Sequence, residues 1–371
     1  MRKKLTSIPT AKIIPILKTA AIALLGVSLA LLTHLPIPWL LGPLLAVLVG
    51  GRFVHDLYWP RILRDIAIIV VGYSIGLSFT KDALILILQQ LPLIFLMTIL
   101  IIAFCFALAW VVSKISGIDY PTILIGSIPG GLSQMVLLAE EIKGINVSVV
   151  TFLQVSRLMM IILFVPMLVF SPIIGVEQGG DSPIHSPTVK VVDLFPDLLF
   201  FIPVIAAAIH LFKKWKLPTP FLVGPIFAAA FLGLVGYQGP PLPSLILDTS
   251  QFMLGTYIGL LIKPDKIDKK LEMTGLAFMS GLFLLLGSFA LSWILAHGKE
   301  LSAATSLLSL APGGMDQMGI IAAEIHADLS IVAGFQLFRL FFIFFVVPPF
   351  LRVFIGYLVN RQTVESKRSS S

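Results

Sequence analysis

The sequence predicts an all-α polytopic membrane protein, and three observations carry that prediction. Of the 371 residues, 57% are hydrophobic and only 12% charged, about half the charge of an ordinary soluble domain. Apolar runs long enough to cross ~30 Å of hydrocarbon recur along the whole chain. These runs are continuous rather than alternating, which excludes the strands of a membrane barrel.

The formal net charge of +7 sits in short Lys/Arg clusters between the apolar runs, as membrane orientation requires. No basic stripe of a nucleic-acid reader is present. The expected partners are therefore a small-molecule substrate and the lipid bilayer, not nucleic acid; assembly as a homo-oligomer is left open. Cys105, the single cysteine, lies in the apolar run FCFALAW and cannot form an internal disulfide. The six histidines are scattered without metal-ligand spacing, so no metal and no cofactor are expected.

The chain is written twice. PIPWLLGP at 36–43 matches PTPFLVGP at 218–225, GYSIG at 72–76 matches GTYIG at 255–259, and Asp65 and Asp248 precede the latter pair by seven residues each. PGGLSQMVLLAEEI at 129–142 matches PGGMDQMGIIAAEI at 312–325 with eight of fourteen positions identical. Finally, QVSR at 154–157 matches QLFR at 336–339. Four blocks in one order define a duplication. The first half spans 1–172, an exposed Gly/Pro/Ser-rich linker 173–193, the second half 194–358 and a cytoplasmic tail 359–371.

Each half predicts six elements in order. A first helix covers about 14–34 and 194–212, a Pro-flanked apolar segment 38–54 and 220–236, and a third helix 61–79 and 245–262. A long fourth helix covers about 86–113 and 273–297, the PGG segment 121–142 and 306–325, and a last helix with an internal arginine 147–172 and 329–357. The basic head and apolar core at the start resemble a secretion signal. Its match at 194–212 marks it instead as a structural helix.

Charge sets orientation. In the first half Arg2, Lys3, Lys4, Lys12 and Lys18 precede or open the first helix, and Arg52, Arg61 and Arg64 follow two elements later. In the second, Lys213, Lys214 and Lys216 come after the first helix, and Lys263, Lys266, Lys269 and Lys270 after the third. The clusters have shifted by one connection, so the halves are expected to be inverted, with both termini cytoplasmic. Inversion needs an odd number of crossings per half. The sequence therefore predicts ten transmembrane helices plus two re-entrant or broken PGG segments, in a bacterial inner membrane.

Irregular backbone at membrane depth must be shielded by protein or line an aqueous cavity. Gly130-Gly131 and Gly313-Gly314 break a helix, and the next helix is expected to start near Ser133 or Asp316, both good N-caps. Beyond capping, such broken helices can aim their positive ends at an anion. Gln134 and Glu141 share one helical face, as do Gln317 and Glu324. Each glutamate either faces the headgroups or couples transport to protons or cations; Asp316, opposite Ser133, favours an ion site in the second half. Arg157 and Arg339 lie deep in apolar helices, at a cost of at least ~2.5–3.5 kcal/mol each, with Gln154 and Gln336 three residues earlier on the same face. They either lock the broken helices by pairing with Glu141 and Glu324, or bind an anionic substrate. Asp65 and Asp248 suit the start of a helix, and Gly42-Pro43 and Gly224-Pro225 are expected to kink or interrupt theirs.

In PGGLSQM, PGGMDQM and the paired Q-x-x-R, the chain resembles the bacterial AbrB-type duplicated membrane proteins over nearly its whole length. Members carry names proposing an ammonia monooxygenase or a transcriptional regulator. The resemblance implies a role in the control of gene expression, and supplies no catalytic residues. Ammonia oxidation would need a redox metal, and DNA binding a soluble module; neither is visible. The expected function is a secondary transporter of a small molecule, an anion among the candidates, coupled to ions or protons and not an enzyme. The alternative is a membrane-bound sensor or regulator acting indirectly on gene expression.

Overall fold

A computed structural model describes residues 13–142, 144–171, 174, 195–261, 270–299 and 301–355. The linker expected at 173–193 (apart from Ile174), the tail 359–371, and the clusters at Arg2–Lys12 and at Lys263, Lys266 and Lys269 lie outside the described residues. The described chain is all helix: α1 Ile13–Leu32, α2 Pro38–Gly50, α3 Arg61–Leu77, α4 Lys81–Ser116, α5 Tyr120–Ser127, α6 Leu132–Glu141, α7 Val147–Val169, α8 Phe195–Lys214, α9 Pro220–Val235, α10 Ser244–Gly259, α11 Lys270–Lys299, α12 Ala303–Leu310, α13 Met315–Glu324 and α14 Leu329–Phe345, then α15 Val347–Ile355.

Side chains fix several starts. Thr80, Asp119, Asn146, Ser302 and Asp328 each accept a backbone N–H from the first turn of α4, α5, α7, α12 and α14, satisfying donors that a helix leaves orphaned. Left-handed backbone recurs at matched positions of the two halves: His34 and Lys216, Ile37 and Thr219, Gly144 and His326.

Among the described residues, four helices are long and apolar enough to cross a membrane: α1, α4, α7 and residues 275–298 of α11. A fifth span forms if α14 and α15, bent by 41°, are taken together. The bend follows from Pro348 and Pro349, which deny an N–H to the carbonyls of Phe344 and Phe345. At the matched place α7 carries one proline, Pro166, and runs on unbroken. Helices α2 and α9, with 13 and 16 residues, reach only ~20–24 Å, short of the ~30 Å hydrocarbon core.

The Gly-Pro pairs do not interrupt α2 and α9; both helices continue through Pro43 and Pro225. Their glycines serve close packing. A methyl on Gly42 would collide with the backbone of Gly26 in α1. Gly255 and Gly259 of α10 likewise admit the carbonyls of Leu40 and Leu44 in α2, and Gly72 and Gly76 of α3 admit those of Leu222 and Ile226 in α9. Small residues let helix backbones approach where lipid supplies no hydrophobic drive.

These crossings tie α1, α2 and α3 to α8, α9 and α10 in one bundle. The long helices α4, α7, α11 and α14 hold α5, α6, α12 and α13 in a second. Each bundle draws on both halves of the sequence. Contacts of α13 and α14 with α3 join the two, and one apolar core containing Ile75, Leu222, Leu308 and Met318 runs across the junction. Large apolar side chains stay exposed on the outer helices, among them Leu25, Leu32, Trp110, Ile115 and Phe231. Exposed apolar surface of that extent needs lipid rather than water, so this is a multi-pass membrane protein.

Candidate functional site

Both PGG segments fold as hairpins. Asn146 N, at the start of α7, donates to Thr122 Oγ1 in the first turn of α5 at 3.0 Å. Asp328 N, at the start of α14, donates to Thr305 Oγ1 in the first turn of α12 at 3.1 Å. Each chain thus returns to the place where its hairpin began. The arms have eight and ten residues, or ~12 and ~15 Å, about half the depth of a bilayer core.

The Q-x-x-R pairs close the ends of the first arms. Gln154 Nε2 donates to the carbonyls of Ile125 and Ile128 at 2.9 and 3.0 Å. Arg157 Nη1 reaches Ile128 O at 2.9 Å, with Ser127 and Gly126 carbonyls farther off at 3.3 and 3.5 Å. Gln336 Nε2 bonds Leu308 and Ala311 carbonyls at 2.7 and 3.2 Å, and Arg339 bonds those of Leu310 and Ala311 at 3.1 and 2.8 Å. Each glutamine also accepts from its own arginine through Oε1. The orphaned carbonyls of α5 and α12 are thereby satisfied, with a cation at each negative helix end.

This corrects one expectation. Neither arginine pairs with a glutamate. Glu141 sits at the far end of α6 and bonds Arg352 on the surface, at 2.6 Å. Glu324 ends α13, close enough to Asp248 of α10 for the two carboxylates to repel. Thirteen positions separate each glutamate from the carbonyl, of Ile128 or Ala311, that its arginine reaches. Asp65, expected to serve a helix start, is paired with Arg64 at 2.6 Å.

A cavity of about 190 Å³ lies where the two tips meet. Gly130, Gly131, Gln154, Arg157, Gly313, Gly314, Asp316, Gln317, Gln336 and Arg339 all line it. Glu141, Glu324 and Gln134 do not. Gln134 Nε2 donates instead to Phe344 O at 3.1 Å, the carbonyl that Pro348 leaves without a helical donor. Ser133 lies in α6, and its side chain is outside the described residues. The sequence reading missed Thr219 and Leu222, which reach the cavity from the start of α9. The signal was present: Thr219 stands in the repeated P-x-P block, polar where the first half has Ile37.

The second arms begin one or two residues earlier than expected. Gly131 and Gly314 are the N-caps, with no side-chain cap bond, so Ser133 and Asp316 fall inside the first turn. At Gly131 the missing side chain leaves the backbone open to the cavity. Two arginines stand against one carboxylate among the lining side chains. Their Nη groups are spent on carbonyls and glutamine oxygens, so what faces the cavity is their charge and, at Arg157, the unpartnered Nε. No group of three or more His, Cys, Asp or Glu side chains placed to hold a metal ion occurs among the described residues.

A bundle of apolar helices around two facing hairpins, with one cavity lined by both tips, defines a multi-pass membrane protein. The AbrB family model, described as "Transition state regulatory protein AbrB", matches residues 39–355, and the chain belongs to that family. It is 25% identical to the uncharacterized protein YhjN of Bacillus subtilis (strain 168), over 90% of this chain and 91% of the relative. It is 26% identical to the Escherichia coli (strain K12) protein AbrB, whose name proposes a regulator, over 94% of this chain and 99% of the relative.

Proposed function

We propose that the protein is a secondary transporter of a small anion in the bacterial inner membrane, coupled to protons or cations and not an enzyme. The observation that carries this is the cavity at the meeting of the two hairpin tips, with a net excess of positive side chains and the start of α6 at Gly131 on its wall. Broken helices meeting near mid-depth place such a site where both sides of a membrane can be given access in turn. The halves are inverted, each with five crossings and one re-entrant hairpin, and the termini are cytoplasmic. Support comes from the shifted basic clusters, the returning hairpins and the matched left-handed residues. Ten crossings require the short α2 and α9 to pass through protein rather than lipid, and both carry many buried residues along their length. Asp316 is the coupling residue nearest the cavity; Glu141 and Glu324 would act from its periphery.

The family description and one relative's name favour a second reading, a sensor that binds the same molecule and acts indirectly on gene expression. Flux into proteoliposomes under an imposed pH gradient separates the two. Gly131→Phe fills the cavity where a Cβ meets nothing closer than 3.9 Å. Labelled carboxylates are expected to enter with the wild type and not with Gly131→Phe, at similar thermal stability. Binding without flux would replace the transporter by the sensor.

A further inference from the structure

The two hairpin tips are not alike, and the difference bears on what the cavity takes. At the first tip nothing lies nearer to a Cβ on Gly131 than Gln134, at 3.9 Å, and the cap residue itself brings no side chain to the first-turn N–H groups of α6. That end offers donors, with the Arg157 charge beside it. At the second tip the Asp316 carboxylate and the Gln317 carboxamide fold back over Gly314, so closely that a methyl there would strike both. Gln317 Nε2 donates to Asp316 Oδ2 at 2.8 Å. The start of α13 thus carries an anion of its own, Asp316, in its first turn. That end offers acceptors.

Two nine-tenths-buried side chains on the cavity wall have an atom without a protein partner. One is a donor, Arg157 Nε; the other is an acceptor, Gln317 Oε1. Leaving such an atom unpaired costs its full desolvation penalty. A ligand that displaces water keeps its affinity only by supplying equivalent bonds. A plain carboxylate serves the first end and is repelled by Asp316 at the second. A plain amine does the reverse and meets two arginines. The volume, about 190 Å³, lies below the ~300–1,000 Å³ usual for ligand pockets, so the ligand is small.

We propose that the cavity takes a small zwitterion, an α-amino acid in its simplest form, with its carboxylate at the start of α6 and its ammonium against Asp316 and Gln317. This rests on the anion reading above and narrows it. The test is thermal stabilisation of the purified full-length protein by small α-amino acids, by the same acids without the amine, and by the same amines without the carboxylate. Wild type is expected to bind amino acids at least tenfold tighter than either truncated set. Asp316→Asn is expected to weaken the amino acid at least tenfold and to tighten the plain carboxylate. A purely structural role for Asp316 would move both in the same direction, and that result overturns the proposal. Plain carboxylates binding as well as amino acids would also overturn it while leaving the anion reading intact. Binding by none of the three sets would end both.

Discussion

The two PGG tips share their clamp and differ in their mouths. At both, a glutamine and an arginine from the following helix hold the carbonyls of the first arm through equivalent bonds. At the mouth, the first tip is open and its glutamine reaches across to Phe344, whereas the second is closed over by Asp316 and Gln317. The two tips share the part that satisfies backbone and differ in the part that lines the cavity. A carbonyl left unpaired in an apolar interior is costly wherever it occurs; a side chain on a cavity wall is under no such demand.

The largest expected effect tests the shared clamp. Arg157→Met and Arg339→Met should each destabilise the protein by about 3–5 kcal/mol, because a buried network loses its central partner. Denaturation of purified variants should show similar losses for the two; a large loss at one alone would break the equivalence. Lysine should not rescue either, since a point charge cannot replace the fork.

Next come the tight glycines. A methyl on Gly130 meets Met135 and Ile343, and one on Gly313 meets Met318 and Ile161. Overpacking of this kind costs about 1–3 kcal/mol, so both alanine variants should unfold earlier than wild type. Gly131→Ala should leave stability unchanged, and an equal loss there would contradict an open first tip.

Ser133→Asp makes the mouths alike. A carboxylate in the first turn of α6 should occupy its N–H groups and reduce binding of small carboxylates at least tenfold while the fold stays intact. Unchanged binding would place the anion elsewhere. Gln134→Leu removes the only side-chain donor found for Phe344 O and should cost about 1–2 kcal/mol, whereas Gln317→Leu should cost little stability. The smallest effect belongs to Glu141→Gln: its pair with Arg352 is more than half exposed on both sides, and such pairs contribute about 0–1 kcal/mol.

Much of this frame is legible in the residues. The helix starts at Pro38, Arg61, Val147 and Pro220 follow from apolar runs and prolines, and the diglycines mark both tips. The repeated Q-x-x-R singles out two buried arginines. What the arginines do is not legible, because local spacing pointed to Glu141 and Glu324, and the competing partners are main-chain carbonyls that carry no letter in the sequence. Thr219 escaped for a related reason. Its route to the cavity depends on α9 packing against α3 and lying beside the second bundle, a contact between halves. Gly42 and Gly224 looked like interruptions, since proline after glycine breaks most helices; close backbone crossings keep these two continuous.

The sequence by itself determined that the chain lies in a membrane, that four short blocks recur in it, and that helices break at the two diglycines, because composition and backbone propensity are local properties. Tertiary structure alone decided that each arginine caps its own hairpin, that α1–α3 join α8–α10 instead of staying with their own half, and that two matched tips present opposite hydrogen-bonding faces to one cavity. Those outcomes turn on which unsatisfied group lies nearest in space, and spacing along the chain does not encode that.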